Sequence, residues 1–311
     1  MSLVHIDQAL KKYGNKTVVD HLNLTVGSGE IFGLLGPNGA GKTTTIKMMC
    51  GLVSPNSGDI RIADKSIIKQ PDEVKRLIGV VPQDIAIFSN LTAKENVTFF
   101  GKLYGLKGDL LRKRVEEALE FVSLHDRQND RPGAFSGGMK RRLNIACAIT
   151  HRPLLIIMDE PTVGIDPHSR NHILESVKQL NREGASIIYT SHYMEEISAI
   201  CSKIAIMDYG RLVAMGTKEE LRQKIAGTEK IVLEIKSMNS EATLELAKHP
   251  HIKNVEAKDD KLEITVPSAQ SYIQDIIFIL TKHQVAIKGL SIEEPDLEKM
   301  FLSLTGQELR D

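Results

Sequence analysis

Across residues 4–222, short apolar runs rich in β-branched side chains alternate with longer stretches of helical periodicity, the pattern of a layered α/β domain. Residues 30–35 read as a buried strand that passes into a glycine-rich turn, and residues 43–49 then take on helical character. Residues 154–158 and 185–190 are similar apolar runs ending in polar positions, as expected of parallel strands buried on both faces. The stretch from about 72 to 149 is more helical, and Thr92 followed by Glu95 has the spacing of a capping box opening a helix through Phe99. A helical subdomain is expected there.

After Gly227 the pattern changes. Residues 230–236 place Ile231, Leu233 and Ile235 on one face of a strand, and 240–249 form a short helix. Residues 255–266 read as a hairpin turning at Asp259 and Asp260, 269–283 as an amphipathic helix and 285–292 as a last strand. The order β-α-β-β-α-β predicts a ferredoxin-like α+β domain. Beyond it, Pro295 fits the first turn of a final helix whose Leu297, Met300, Phe301 and Leu304 form one apolar stripe. The expected division is therefore 1–226 and 228–311, which suits a length that favours two domains over one.

Composition narrows the class without choosing the chemistry. Hydrophobic residues make up 41% and charged residues 26%, ordinary globular usage that argues against disorder or a fibrous repeat. Forty Lys and Arg balance forty Asp and Glu, so no net positive field holds a polyanion, and nucleic acid is not expected as a partner. Cys50, Cys147 and Cys201 are widely spaced, with no metal-ligand pairing, and read as inert thiols. The most apolar runs fall far short of the ~20 residues that span a bilayer. Residues 1–10 carry Asp7 and no continuous apolar core, so a secretory signal is not expected.

The chemistry starts at Gly36, Pro37, Asn38, Gly39, Ala40, Gly41, Lys42 and Thr43, which satisfy the P-loop pattern between a predicted strand and a predicted helix. Glycines let the backbone curl so that successive N–H groups face phosphate oxygens at the positive end of the following helix. Lys42 can then reach the β- and γ-phosphates while the Thr43 hydroxyl ligates Mg²⁺, with Thr44 adjoining. Taken alone, the loop says only that a nucleotide binds, since GTPases, small-molecule kinases and helicase-like motors share it.

Further motifs follow in order. Phe135, Ser136, Gly137, Gly138 and Met139 precede a helix, and the apolar run 154–158 ends in Asp159 and Glu160. Gln83 lies before them, in a Val-Val-Pro-Gln-Asp sequence, and His192 beyond, in Thr-Ser-His. With these the chain, from its start to about residue 222, resembles the ABC ATPase family of P-loop NTPases. A strand-terminal Asp159 is placed to hold Mg²⁺ through water, and Glu160 to polarise the attacking water as a general base. The resemblance implies that Gln83 senses Mg²⁺ and the γ-phosphate, that His192 is a switch histidine on the γ-phosphate, and that Tyr13 stacks on adenine. It also implies a head-to-tail dimer of two ATPase subunits, in which Ser136–Met139 of one subunit close over the ATP held by the other, and Asp166 of a Gly-Ile-Asp D-loop lies near the opposing P-loop.

Three departures from the family pattern stand out: Phe135 and Met139 at the two ends of the signature, and Ile165 in the D-loop. None removes a phosphate-binding group. The continuation Met139-Lys140-Arg141-Arg142, together with residues 292–306, looks like the ABC-2 exporter branch, which includes subunits for daunorubicin, bacitracin and linearmycin resistance and for sodium extrusion. The interval between Lys42 and Ser136 is too short for the long coiled coil of a chromosome or repair ATPase, and a translation factor would usually carry two cassettes. The implied role is ATP hydrolysis at the cytoplasmic face of the membrane, driving separate ABC-2 type permease subunits that export a drug or antibiotic. A regulatory or assembly ATPase acting on a non-transport partner is the competing reading.

Overall fold

Strand β1 (Ser2–Tyr13) buries Leu3, Val4, Ile6 and Ala9 and turns back through a hairpin into β2 (Lys16–Gly27) in the computed structural model, which describes residues 2–225, 229–237, 239–258, 260–293, 301, 302 and 305. The chain divides into two units, Met1–Lys218 and Glu219–Gln307. After the hairpin come β3 (Ile31–Leu35), α1 (Lys42–Met49), β4 (Ser57–Ile62), β5 (Lys65–Ser66), α2 (Pro71–Lys75) and β6 (Ile78–Val81). Three helices follow, α3 (Ala93–Leu103), α4 (Gly108–Phe121) and α5 (Gly137–Ile149). The unit closes with β7 (Leu155–Asp159), α6 (Pro167–Arg182), β8 (Ser186–Thr190), α7 (Met194–Ile200), β9 (Lys203–Asp208) and β10 (Arg211–Gly216). Helix α8 (Lys218–Ile225) comes next.

Two sheets organise this unit. An antiparallel sheet has the order β2-β1-β4-β5, and a six-stranded sheet the order β10-β9-β3-β8-β7-β6, parallel except for β10. All five residues of β3 and of β8 are buried, which explains why these strands read as unbroken apolar runs rather than alternating ones. Ile6, Leu22 and Ile60 of the first sheet, Leu34 and Ile157 of the second and Ile46 and Met49 of α1 belong to one core. The long antiparallel strands were not distinguished in the sequence from the alternating β-α pattern, because β1 and β2 are interrupted by register shifts that break strict alternation.

The stretch expected to be helical from about 72 to 149 contains a strand. Residues Ile78–Val81 form β6 and pair in parallel with β7, so the helical layer begins only at α3. Four residues, Ile-Gly-Val-Val, are too few for periodicity to separate strand from helix. The capping box is formed in both directions: Glu95 N–H donates to Thr92 Oγ1 at 3.2 Å and Thr92 N–H to Glu95 Oε2 at 2.8 Å, and the helix continues past Phe99 to Leu103. Helix α4 buries Leu111, Val115, Ala118 and Leu119, one stripe at helical spacing.

The second unit contains β11 (Glu229–Ile235), α9 (Ser240–Ala247), β12 (Asn254–Lys258), β13 (Lys261–Val266), α10 (Ala269–Lys282) and β14 (Ile287–Glu293). Its antiparallel sheet has the order β12-β13-β11-β14, the arrangement of a β-α-β-β-α-β ferredoxin-like fold. Ile231, Leu233 and Ile235 are buried with Leu246 of α9 and Ile276 and Leu280 of α10 in a separate core. Asp259 of the expected turn, and Pro295, Leu297, Met300 and Leu304 of the expected final helix, lie outside the described residues; Phe301 is buried.

Asn96 of α3 shows how the segment after β6 is held. Fully buried, it accepts from Phe88 N–H at 2.7 Å and donates to the carbonyls of Phe88, Leu91 and Thr92. Phe88 O and Thr92 O also accept from Leu91 N–H and Asn96 N–H, so Asn96→Ala strands Phe88 N–H and Leu91 O; an unsatisfied buried group costs about 1–3 kcal/mol, and the variant should lose about 3 kcal/mol. Urea unfolding of the purified chain measures this; a loss under ~1 kcal/mol would show that water replaces the side chain.

Candidate functional site

At Gly36 and Gly41 the P-loop backbone passes so close to its neighbours that a side chain is excluded. A Cβ on Gly36 would lie 2.5 Å from Met207 O, and one on Gly41, whose φ is 100°, would lie 2.6 Å from Val18 O. Gly41 forms the N-terminal cap of α1, so the free N–H groups of the first turn open toward the loop. Pro37, Asn38, Gly39, Ala40, Gly41, Lys42, Thr43 and Thr44 line a cavity of about 350 Å³, together with Val18, Gln83, Glu160 and His192. A larger cleft of about 500 Å³, lined among others by Arg114, Phe121, Arg152 and Glu183, contains none of the motif residues, so size does not mark the site.

The carboxyl ends of the parallel strands supply the acidic side. Residues Asp159 and Thr190 are register partners on β7 and β8. Thr190 Oγ1 donates to Asp159 Oδ1 at 2.7 Å and accepts from Glu160 N–H at 2.9 Å, while Thr190 O also accepts from that N–H at 3.2 Å. Glu160 has φ of 48°, a left-handed conformation that non-glycine residues adopt at a cost, and its carboxylate Oε1 lies 2.5 Å from His192 Nε2. Burial pushes the Glu160 proton affinity up; His192 opposes the rise, Asp159 adds to it and Lys42 opposes it.

Lys42 is buried, and its ammonium donates to Gly36 O at 2.5 Å and Pro37 O at 3.2 Å. Burial holds its pKa below the ordinary lysine range, against the pull of Glu160 and Asp159. A cavity lined by backbone N–H groups and one buried ammonium suits a polyphosphate anion. The hydroxyl of Thr43, the amide of Gln83 and the carboxylate of Asp159 are hard oxygen donors of the kind Mg²⁺ takes, and the first two line the cavity.

The expected site residues divide into three groups. The loop, Gln83, Glu160 and His192 share the cavity, with Asp159 behind it on the Thr190 hydrogen bond. Tyr13 ends β1, half exposed beneath Lys11 Nζ; it does not line the cavity, although Val18 of the same hairpin does. Ser136, Gly137, Gly138 and Met139 do not line it either. Ser136 caps α5 by accepting from Met139 N–H at 3.2 Å, and Asp166 caps α6 by accepting from Ser169 N–H at 3.0 Å. A Cβ on Gly138 would lie 2.4 Å from Ser169 Oγ, so these two helix starts are pressed together. The three cysteines are buried, and burial pushes the Cys50 thiol up to about 12.

Sequence reasoning missed Thr190 and Glu196. The fully buried Thr190 precedes His192 by two residues, and only strand register reveals its link to Asp159. Glu196, also buried, accepts through Oε2 from Thr162 Oγ1 at 2.8 Å, Tyr189 OH at 3.0 Å and Ser191 Oγ at 2.7 Å, and lies 3.4 Å from Arg170 Nε. It thereby ties the segment after Glu160 to the segment carrying His192. Its spacing of four from His192 was the one available signal.

A parallel sheet with a phosphate cradle at its strand ends and a buried carboxylate beside it defines a P-loop nucleotide hydrolase. The family model "ABC transporter" matches residues 19–163, and the model "ATP-binding protein DrrA1-3-like, C-terminal domain" matches 216–305. The chain is 45% identical to the linearmycin resistance ATP-binding protein LnrL of Bacillus subtilis (strain 168), over 99% of this chain and 100% of that protein. It is 36% identical to the Nod factor export ATP-binding protein I of Rhizobium sp. (strain N33), over 99% of each. Among solved structures, an ATP-binding subunit of an ABC transporter superposes with a TM-score of 0.66 at 31% identity, covering 71% of this chain and 92% of that one. A dimeric ATP-binding cassette in a post-hydrolysis state with ADP and Pi gives 0.63 at 27%, covering 69% and 98%. The chain belongs to the ABC transporter ATP-binding family: it binds and hydrolyses ATP, and subunits of this family dimerise and work with membrane permeases. Among the described residues, no helix is long and apolar enough to cross a membrane.

The direction of the Glu160 shift gives a test without nucleotide. Because the folded chain holds the Glu160 proton more tightly than the unfolded chain does, ionisation costs stability as pH rises through the raised pKa. Glu160→Gln should therefore melt higher than wild type at pH 8 in EDTA, and the two should converge as pH falls into the ordinary carboxylate range. A variant that melts lower at pH 8 would mean that the His192 and Lys42 attractions outweigh burial.

Proposed function

We propose that this chain is the ATPase of an ABC-2 type exporter, working as a head-to-tail homodimer at the cytoplasmic face of the membrane to drive efflux of a drug or antibiotic through separate permease subunits. Support for the export branch comes from full-length similarity to a linearmycin resistance protein and a Nod factor export protein, together with the DrrA-like match over residues 216–305. One observation carries the dimer: Ser136–Met139 line none of the cavity that the P-loop, Gln83, Glu160 and His192 build. A second phosphate-binding helix start then has its use on another subunit's nucleotide.

In this reading Gly36–Thr44 and Lys42 bind the phosphates, and Tyr13 stacks on adenine. Mg²⁺, when bound at Thr43, Gln83 and Asp159, would neutralise charge on the terminal phosphates. Glu160 takes a proton from the attacking water, His192 releases Glu160 to face the γ-phosphate, and Asp166 lies at the dimer interface. The Ser136 helix start, from the opposite subunit, supplies donors to the same γ-phosphate. Loss of that phosphate removes charge that both subunits share, and the dimer opens.

Glu160→Gln should bind ATP, lose turnover about a hundredfold or more and elute as a dimer with ATP during size-exclusion chromatography, whereas adding Lys42→Ala should return it to monomer. A Glu160→Gln chain that stays monomeric at saturating ATP would sink the shared-nucleotide reading. Copurification with a polytopic protein of about six spans, and stimulation of its ATPase by an amphipathic antibiotic, separate an exporter from a regulatory ATPase.

A further inference from the structure

A buried arginine joins the segment carrying Gln83 to the helix that starts at Ser136. Arg141 lies in the second turn of α5 and is only 2% exposed. Its Nη1 donates to Pro82 O and its Nη2 to Gln83 O, each at 2.5 Å. Those carbonyls belong to the two peptide units that flank the Gln83 Cα. Gln83 itself lines the P-loop cavity.

Burying a guanidinium is costly, and carbonyl dipoles repay less of that cost than a carboxylate would. No carboxylate lies within ion-pair distance of Arg141 among the described residues, and its Nε has no hydrogen-bond partner. An apolar side chain would fill the same space with less penalty. What the guanidinium adds is its planar fork, two fixed donors that hold two adjacent peptides in one orientation. The fork also sets the position of Gln83 without contacting its side chain. Helix α5 is a continuous rod from its Ser136 cap to Arg141, a separation of about 7.5 Å at 1.5 Å per residue. The start of that rod is wedged against α6, where Gly138 leaves no room for a Cβ beside Ser169.

We propose that Arg141 is a positioning residue that makes Gln83, at one nucleotide, and Ser136, at the other, move as a single body, so that filling one cavity presents the signature helix to the second. This deepens the dimer reading and rests on it for the two-site part; the Arg141–Gln83 link within one chain does not.

The test is a double-mutant cycle in ATPase kinetics of the purified full chain, using Arg141→Met, Arg141→Lys and Gln83→Ala. Arg141→Met should leave ATP affinity, measured by equilibrium titration, within about twofold, because the P-loop is untouched, and lower kcat about tenfold to a hundredfold, as misplacement of a reacting group does. It should also bring the Hill coefficient for ATP toward one. Arg141→Lys, with one point donor in place of the fork, should recover part of kcat. In the Gln83→Ala background neither Arg141 variant should lower kcat further, since Arg141 acts through Gln83. Losses that multiply across the cycle, an unchanged Hill coefficient, or ATP affinity falling in parallel with kcat would each overturn the proposal. If Arg141→Met fails to fold, the Arg141→Lys arm carries the same cycle. A Glu160→Gln chain that never dimerises would remove the two-site reading while leaving the kcat cycle intact; a chain that dimerises yet shows multiplying losses would remove only this inference.

Discussion

One threonine at the end of β8 holds together the acidic side of the cavity. The Thr190 hydroxyl donates to Asp159 and accepts from the Glu160 N–H, so one oxygen holds the carboxylate of Asp159 and the backbone of Glu160. Glu160 sits in a left-handed backbone conformation, a strain of about 1–3 kcal/mol that persists only where surrounding bonds over-determine it. Here they do, because Thr190 O and Oγ1 both accept from the strained residue's N–H. The left-handed turn at Glu160 breaks the strand's alternation after Asp159. Without it, consecutive residues of a strand would point to opposite faces of the sheet.

The opposite wall of the cavity is built by exclusion. Gly36 and Gly41 carry no side chain because Met207 O and Val18 O already occupy the space. The Lys42 ammonium donates to acceptors of the loop itself, Gly36 O and Pro37 O. A phosphate oxygen is a stronger acceptor for an ammonium than a neutral carbonyl, since charge-assisted bonds are roughly twice as strong. Substrate binding in the proposed reading is then an exchange of partners for Lys42, which avoids burying a new charge.

Local chemistry was legible in the sequence, and distant pairing was not. The P-loop declared itself because its pattern is contiguous over eight residues, although the atoms that exclude a side chain at Gly36 and Gly41 are distant, and the Thr92–Glu95 box because both of its bonds span three residues. The second unit was readable element by element, since its strands alternate and its helices carry one apolar stripe, as Ile231, Leu233 and Ile235 show. β6 escaped notice because four apolar residues carry no period, and β1 and β2 because bulges disturb theirs. Thr190, Glu196 and Arg141 escaped for a different reason. Their partners Asp159, Thr162 and Gln83 are tens of residues away, and an isolated Thr, Glu or Arg has no pattern to announce it. Ser136 and Asp166 were legible only through the family resemblance, since local structure places them at two helix caps and their proposed roles lie on another subunit.

As the base of the proposed reading, Glu160 has to be basic enough to accept a proton from water. Burial and the neighbouring Asp159 raise its proton affinity, and His192 and Lys42 lower it. A surface carboxylate would be a weaker base, because catalytic efficiency rises as the pKa approaches the working pH. A fully buried, unpaired one would be protonated and useless. His192, with Nε2 at 2.5 Å from Glu160 Oε1, opposes that rise in proton affinity. In the proposed reading, moving His192 onto a phosphate frees Glu160 Oε1 and removes one of the two attractions that lower its proton affinity. In this reading a single side-chain movement uncovers the base and strengthens it, which ties proton transfer to the presence of the γ-phosphate.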